Sequence, residues 1–330
     1  MTAMIELSGI SRRFVKSLDL AEKIAGRLGA SVHEQVVHAV DHVDLRIDKG
    51  EVLGLVGESG CGKSTLGRVV AGILQPSSGI LRYRGRDVND LRGDELRAYR
   101  LAVQMIFQDP FASLNPRMRV IDIISEAPIA HGLIRSRDRE GYTAEIMDQV
   151  GLDPGFMRRY PHQFSGGQRQ RVGIARAIAV KPEFLVCDEA IAALDVSIQA
   201  QVINLFMDLR EKLDLTYLFI SHDLSVVEHV ADRVVIMYLG RVVEAAPTGT
   251  LFAGPAHPYA TALLEEVPRL DSRHRRFQPI RGEVPSPLDP PRGCHFHPRC
   301  PQAMPRCSVE RPELRTIASR HICACHLNDG

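Results

Sequence analysis

The chain has 330 residues, 45% of them hydrophobic, which suffices for one sizeable core and a smaller appendage. Acidic and basic residues nearly cancel to a net charge of +1, which removes any general electrostatic case for nucleic acid or an anionic membrane surface as partner. No stretch approaches the roughly 18–20 consecutive apolar residues of a spanning helix, and the opening MTAMIELSGISRRF lacks the basic-then-apolar layout of a secretory signal, so a cytosolic chain is expected.

Residues 4–10 and 38–47 alternate polar and apolar side chains, as half-buried strands do. Between them Leu20, Ile24 and Leu28 recur at helical spacing, which predicts an amphipathic surface helix in an insertion, or a membrane or partner contact. A short apolar strand is expected at 51–57, running into a glycine-rich turn and a helix from Lys63. Residues 110–160 read as mostly helical, punctuated at Asn115-Pro116 and Asp153-Pro154. Two buried strands follow, FLVCD (184–188) and TYLFIS (216–221), each ahead of a helix-like segment. That order implies a parallel sheet wound with helices, an α/β fold. VVIMYLGRVVEAA then reads as a hairpin turning at Leu239-Gly240. Past 250 the prolines and basic residues become dense, so a boundary is expected there, dividing 1–250 from a C-terminal unit 251–330.

Gly57-Glu58-Ser59-Gly60-Cys61-Gly62-Lys63-Ser64 fits GxxxxGK[ST] with a strand before it and a helix after it. Glycines let successive backbone N–H groups converge on phosphate oxygens, and the helix N-terminus adds its positive dipole end. Lys63 is expected to bridge the β- and γ-phosphates, Ser64 to hold Mg²⁺, and Gly57, Ser59, Gly60, Cys61, Gly62 and Thr65 to complete the nucleotide cradle. The strand FLVCD ends in Asp188 and Glu189. Asp188 suits the Mg²⁺ shell, and Glu189 is placed to polarise an attacking water as general base.

Phe164-Ser165-Gly166-Gly167-Gln168, followed by RQRVGIARA, resembles the LSGGQ signature of the ATP-binding-cassette (ABC) superfamily. It is a second anion-binding turn opening a helix, where Ser165 and the N–H groups of Gly166 and Gly167 can meet a γ-phosphate. One chain cannot use both phosphate sites on one nucleotide, so the resemblance implies a head-to-tail dimer sandwiching ATP. Gln108 in MIFQDP resembles that family's Q-loop glutamine, which touches Mg²⁺ and reports nucleotide state to the membrane partner. His222 in ISHD resembles the switch histidine contacting the γ-phosphate, and Asp195 in AALD the D-loop aspartate at the dimer interface. Phe14 is the candidate adenine-stacking aromatic, with a buried core position as the alternative. The resemblance implies a P-loop NTPase cassette: a RecA-like parallel sheet core, an antiparallel β subdomain and a helical signature subdomain at about 110–175, plus a small C-terminal Cys-rich domain. One departure stands out. Where the family commonly has DEPTSALD, this chain has DEAIAALD, so Ala190 lacks a proline's restriction and Ile191 and Ala192 remove two hydroxyls expected at the dimer interface.

HPYATALLEEVP and PPRGCHFHPRCP resemble the extension of ATP-binding subunits of dipeptide/oligopeptide importers. Membership would bring two integral-membrane permease subunits, a second homologous ATPase, indirectly a solute-binding protein, no nucleic acid, and a peripheral place on the cytoplasmic face of the inner membrane. Five of the seven cysteines fall within 294–325, which in a reducing compartment points to metal rather than disulfides. Four converging thiolates make a soft site for zinc or an iron–sulfur cluster, and the spacing leaves the metal open. The family resemblance implies a [4Fe–4S] cluster on Cys294, Cys300, Cys307 and Cys325, the last preferred over Cys323 because it precedes a histidine, His326. Zinc is the alternative, with His295, His297 and His321 as added ligands or as packing around the site. Competing readings are a soluble ABC ATPase on the ribosome or DNA, or an importer of nickel or another non-peptide solute.

Overall fold

A computed structural model describes residues 3–16, 35–109, 113–192, 194–266, 280 and 282–329. The segment carrying Leu20, Ile24 and Leu28 lies outside the described residues.

Two antiparallel strands open the chain, β1 (Ala3–Lys16) and β2 (Gln35–Asp48). On β2, Val43, Leu45 and Ile47 are buried and the residues between them are not, the alternation of a strand with one face on a core. β3 (Val52–Val56) follows, buried at every residue, and feeds α1 (Lys63–Val70). β4 (Ser78–Tyr83) and β5 (Arg86–Asp87) return to the first sheet, whose order is β2-β1-β4-β5. α2 (Gly93–Ala102) and β6 (Val103–Ile106) lead to three helices that pack on one another, α3 (Val120–Ala130), α4 (Arg139–Gln149) and α5 (Gly166–Ile178). Strand and helix then alternate through β7 (Phe184–Asp188), α6 (Val196–Leu213), β8 (Thr216–Ile220), α7 (Leu224–Val230) and β9 (Arg233–Tyr238). β10 (Arg241–Pro247), α8 (Thr248–Ala253), α9 (Pro258–Glu265), β11 (Arg315–Ala318) and β12 (His321–Cys323) end the chain.

The second sheet runs β11-β12-β10-β9-β3-β8-β7-β6, parallel from β9 to β6 and antiparallel beyond. β3, β7 and β8 are apolar throughout because both of their faces are covered. One face packs under the helical side, with Ile123, Phe206 and Tyr217 in its core; the other packs between α1 and the four-stranded sheet, with Leu66, Val43 and Ile47. The expected hairpin forms where expected: Tyr238 pairs with Arg241, and the two-residue turn puts Leu239 at φ 40 and Gly240 at φ 80. Positive φ at both central residues matches the right-handed twist of the strands it joins.

The C-terminal segment departs from the appendage that its composition suggests. β12 adds to the edge of the main sheet through β10, with Glu244 opposite Cys323 and Ala245 opposite Ile322. Tyr259, Ala260, Leu263, Leu264 and Phe296 are buried in the same core as the helical side of the cassette. The physical reason is Glu244, fully buried on β10. Its carboxylate accepts from the backbone N–H of Ala256 and of His257, both at 2.8 Å, and from His321 Nε2 at 2.7 Å. A buried anion needs such donors, and here the turn into α9 and the first residue of β12 supply them. The texture change at 250 marks where the chain turns back along the sheet.

Burial holds the His257 imidazole down to about 4, and its Nδ1 accepts from Tyr259 N at 3.0 Å, so the neutral ring is the one that fits. Burial also lowers His295 to about 4. Because the unfolded chain takes up these protons first, near the ordinary value of about 6.5, stability is complete above that pH and drains as pH falls toward the folded values. Urea unfolding should lose about 2 kcal/mol per histidine between pH 7 and pH 5. His257→Gln should flatten that slope, and a pH-independent unfolding free energy over this range would contradict the assignment.

Candidate active site

The loop after β3 is held by close packing. Gly57 has φ 151 and a Cβ there would sit 2.2 Å from the Met237 carbonyl; Gly62 has φ 106 and its Cβ would sit 2.0 Å from the Ala39 carbonyl. Only glycine meets both the dihedral and the contact at these positions. The loop is further tied to the β9–β10 turn, since Gly240 N donates to Cys61 O at 2.9 Å. Lys63, the first residue of α1, is buried, and its ammonium donates back to the carbonyls of Gly57 at 2.7 Å and Glu58 at 3.0 Å. Those carbonyls satisfy the buried cation.

Ser64 Oγ donates to Asp188 Oδ1 at 2.7 Å, joining the first turn of α1 to the end of β7. Burial pushes the Asp188 carboxyl above its ordinary range, while the Ser64 hydrogen bond pulls it back. Glu189 follows in the left-handed region at φ 47, its N–H donating to Ile220 O at 3.0 Å. That conformation is costly for a residue with a side chain. Gln108, just past β6, donates from Nε2 to Glu189 Oε2 at 2.6 Å, and His222 Nδ1 lies 3.6 Å from Glu189 Oε1. Lys63, Ser64, Gln108, Asp188, Glu189 and His222 thus gather at the C-terminal ends of adjacent parallel strands, where open α/β sheets place ligands.

Ser165 is the N-cap of α5, and it and Gln168 form a reciprocal cap: Ser165 Oγ accepts from Gln168 N at 3.3 Å and Gln168 Oε1 accepts from Ser165 N at 3.0 Å. Gly166 follows at the first helical position, and a Cβ on Gly167 would meet Ile198 Cγ2 at 2.6 Å, so small residues let this turn press against α6. Asp195 is exposed at the start of α6. Phe14 is 39% exposed on β1, with the Arg12 guanidinium 4.8 Å from its ring centroid; the core alternative for it does not hold. Ile191 is also corrected. It and Ala190 are buried at 3% and 2%, so Ile191 packs inward and only Ala192 of the two substituted hydroxyl positions is exposed.

In the C-terminal region Cys294 N donates to Cys307 O at 2.8 Å. Burial raises the Cys294, Cys300 and Cys325 thiols, Cys325 to about 11, and the charges of Cys294, Cys300 and Cys307 all bear on Cys325. Burial raises the Cys323 thiol as well, Cys325 and Cys294 also bear on it, and it accepts from Asn328 Nδ2 at 3.3 Å. The histidines take other partners: His295 Nδ1 is 3.2 Å from Leu239 O, His297 Nδ1 is 2.9 Å from Cys294 O, and His321 is on Glu244. Among the described residues no group of three or more His, Cys, Asp or Glu is set to hold a metal ion. Sequence reading missed Glu58, Tyr259 and Arg299, which join this region to the loop. No periodicity signals them, because Glu58 and Arg299 are 241 positions apart.

Residues 40–192 match the ABC transporter family, and residues 243–307 match the oligopeptide/dipeptide transporter C-terminal region. The chain is 51% identical over 295 residues to the oligopeptide transport ATP-binding protein AppF of Bacillus subtilis, covering 88% of this chain and 90% of that one. It is 49% identical over 293 residues to the probable peptide ABC transporter ATP-binding protein y4tS of Sinorhizobium fredii, covering 88% and 83%. The dimeric ATP-binding cassette MJ0796, solved in a post-hydrolysis state with ADP and Pi, aligns at TM-score 0.62 and 26% identity over 74% of this chain and 99% of that chain. The fold is also that of cbiO1 from Clostridium perfringens, at TM-score 0.62 and 23% identity over 77% and 92%.

Gly62→Ala tests the loop packing directly. The added methyl cannot share space with the Ala39 carbonyl, and strain of about 1–3 kcal/mol should weaken MgATP binding by roughly tenfold or more. Calorimetric titration of the variant reads this, and unchanged affinity would show that the loop does not need its glycine.

Proposed function

The chain belongs to the ABC transporter family as an ATP-hydrolysing, ATP-binding subunit of its oligopeptide/dipeptide branch, and from that membership we propose that it energises peptide import. The observation that carries the mechanism is the convergence of Gln108 and His222 on Glu189, beside the Ser64–Asp188 pair. Lys63 exchanges the carbonyls of Gly57 and Glu58 for the β- and γ-phosphates, and the N–H groups from Gly60 to Thr65, with Ser59 and Cys61 beside them, cradle the phosphate oxygens. Ser64, Asp188 and Gln108 offer the hard oxygen donors that would hold magnesium, whose chemistry when bound is to neutralise phosphate charge. Glu189 takes a proton from the attacking water as its oxygen bonds to the γ-phosphorus and the bond to the ADP oxygen breaks. His222 contacts the γ-phosphate, and Phe14 stacks on adenine.

Ser165, Gly166, Gly167 and Gln168 of one subunit close over the nucleotide of a second, homologous ATPase, with Asp195 at the crossing. The assembly comprises two integral-membrane permeases, and a solute-binding protein delivers the peptide. The place proposed for this chain is peripheral, on the cytoplasmic face of the inner membrane. No helix among the described residues is long and apolar enough to cross a membrane. The curated relatives described above are named for oligopeptide and peptide transport, which favours that cargo over nickel and over a ribosome or DNA.

Glu189→Gln in the assembled transporter should keep ATP binding, lower turnover by about 10²–10⁴-fold and trap an ATP-bound dimer. Phosphate release at the wild-type rate would remove Glu189 as the base.

The C-terminal thiols are assigned a [4Fe–4S] cluster as the finer part of this reading. What supports it is a set of four soft donors, Cys294, Cys300, Cys307 and Cys325, the first three of which all bear on Cys325. The cluster's role is structural or regulatory, since the residues of hydrolysis lie elsewhere. Chain purified without oxygen should carry about four irons and be brown, and Cys294→Ser should bleach it while Cys323→Ser should not. Colourless protein with one zinc would overturn the cluster.

A further inference from the structure

Glu58 is the second residue of the phosphate loop, and three of its groups are held at once. Its N–H donates to Tyr259 Oη at 2.8 Å, and its carbonyl accepts from Lys63 at 3.0 Å. Its carboxylate accepts from both terminal nitrogens of Arg299, at 2.6 and 2.9 Å. The Arg299 side chain is 4% exposed and lies 5.9 Å from the ring centroids of Tyr238 and of Phe296. Those two rings and Tyr259 form one packed cluster, with centroids 4.7 to 5.3 Å apart. The arginine is therefore locked by packing, and its planar fork fixes the carboxylate in direction as well as in charge. Phe296 and Arg299 sit between Cys294 and Cys300, so the clamp is built by the cysteine-bearing segment.

An anion inside a loop that must receive a polyphosphate works against binding unless it is neutralised and drawn aside. When Lys63 leaves the Glu58 carbonyl for phosphate, Arg299 and Tyr259 are the groups that keep Glu58 in place. We propose that Arg299 and Tyr259 of the C-terminal region are positioning residues that hold and neutralise Glu58, so that this region sets the affinity of the phosphate loop for nucleotide. The inference rests on the nucleotide-binding reading of the loop.

The test is calorimetric titration of the full-length chain with MgATP, with thermal unfolding recorded alongside. Arg299→Met should raise the Kd by about tenfold or more, the loss expected for a charge-assisted bidentate pair. Arg299→Lys should restore part of the loss. Adding Glu58→Gln to Arg299→Met should bring the Kd back to within about threefold of wild type, because the uncompensated anion is then gone. Tyr259→Phe keeps the ring packing and should raise the Kd by about three- to tenfold, which tests the clamp even where Arg299→Met does not fold. Wild-type affinity in Arg299→Met or in Tyr259→Phe would overturn the proposal, as would a double variant no tighter than Arg299→Met. Lys63→Ala separates the two levels: if the wild-type chain binds MgATP and Lys63→Ala does not, the loop reading stands whatever the Arg299 variants do.

Discussion

A carboxylate with no exposed surface must be met by donors on several sides or it costs several kcal/mol, and Glu244 imposes that demand on everything after residue 250. Two of its donors are the N–H groups of the two residues just before α9, and the third is the imidazole that opens β12. Satisfying them brings the chain back along the edge of the main sheet and sets β12 beside β10. With that edge covered, Tyr259, Phe296 and Arg299 come to rest against β9 and the phosphate loop. One buried charge thus organises the contact between the last third of the chain and the site in the first.

The site follows a similar economy of position. Ser64 and Asp188 are 124 positions apart, and Gln108 and Glu189 are 81 apart, yet each pair is in hydrogen-bond contact because β3, β8, β7 and β6 end at a common edge. The left-handed backbone of Glu189 aims its carboxylate at Gln108 and His222 instead of continuing the line of β7. Glu189 shares its positive φ with six other described non-glycine residues, and here the strained backbone falls at the residue assigned the proton transfer.

The strands of the core were legible because burial on both faces demands unbroken apolar runs, and FLVCD and TYLFI are such runs, each short and set ahead of a helix-like segment. The turn at Leu239-Gly240 and the loop from Gly57 were legible because their dihedrals restrict the residues allowed. Lys63, Ser64, Asp188 and Glu189 were legible from the phosphate-loop motif and the acids that end FLVCD, whereas Gln108 and His222 were legible only through resemblance, since a single glutamine or histidine carries no periodic signal. Ile191 was misplaced because its neighbour in sequence is exposed while it turns into the core. The C-terminal region was read as an appendage because composition reports texture, and an ion pair such as Arg299–Glu58 leaves no mark on texture.

That ion pair joins residues 241 positions apart, which also orders events in time. Glu58 leaves the ribosome early, whereas Arg299 follows it by an interval on the order of tens of seconds at ordinary rates of synthesis. Throughout that interval β3 and α1 are present, but the loop between them lacks its clamp. The phosphate site is thus among the first parts of this protein to be made and the last to be finished.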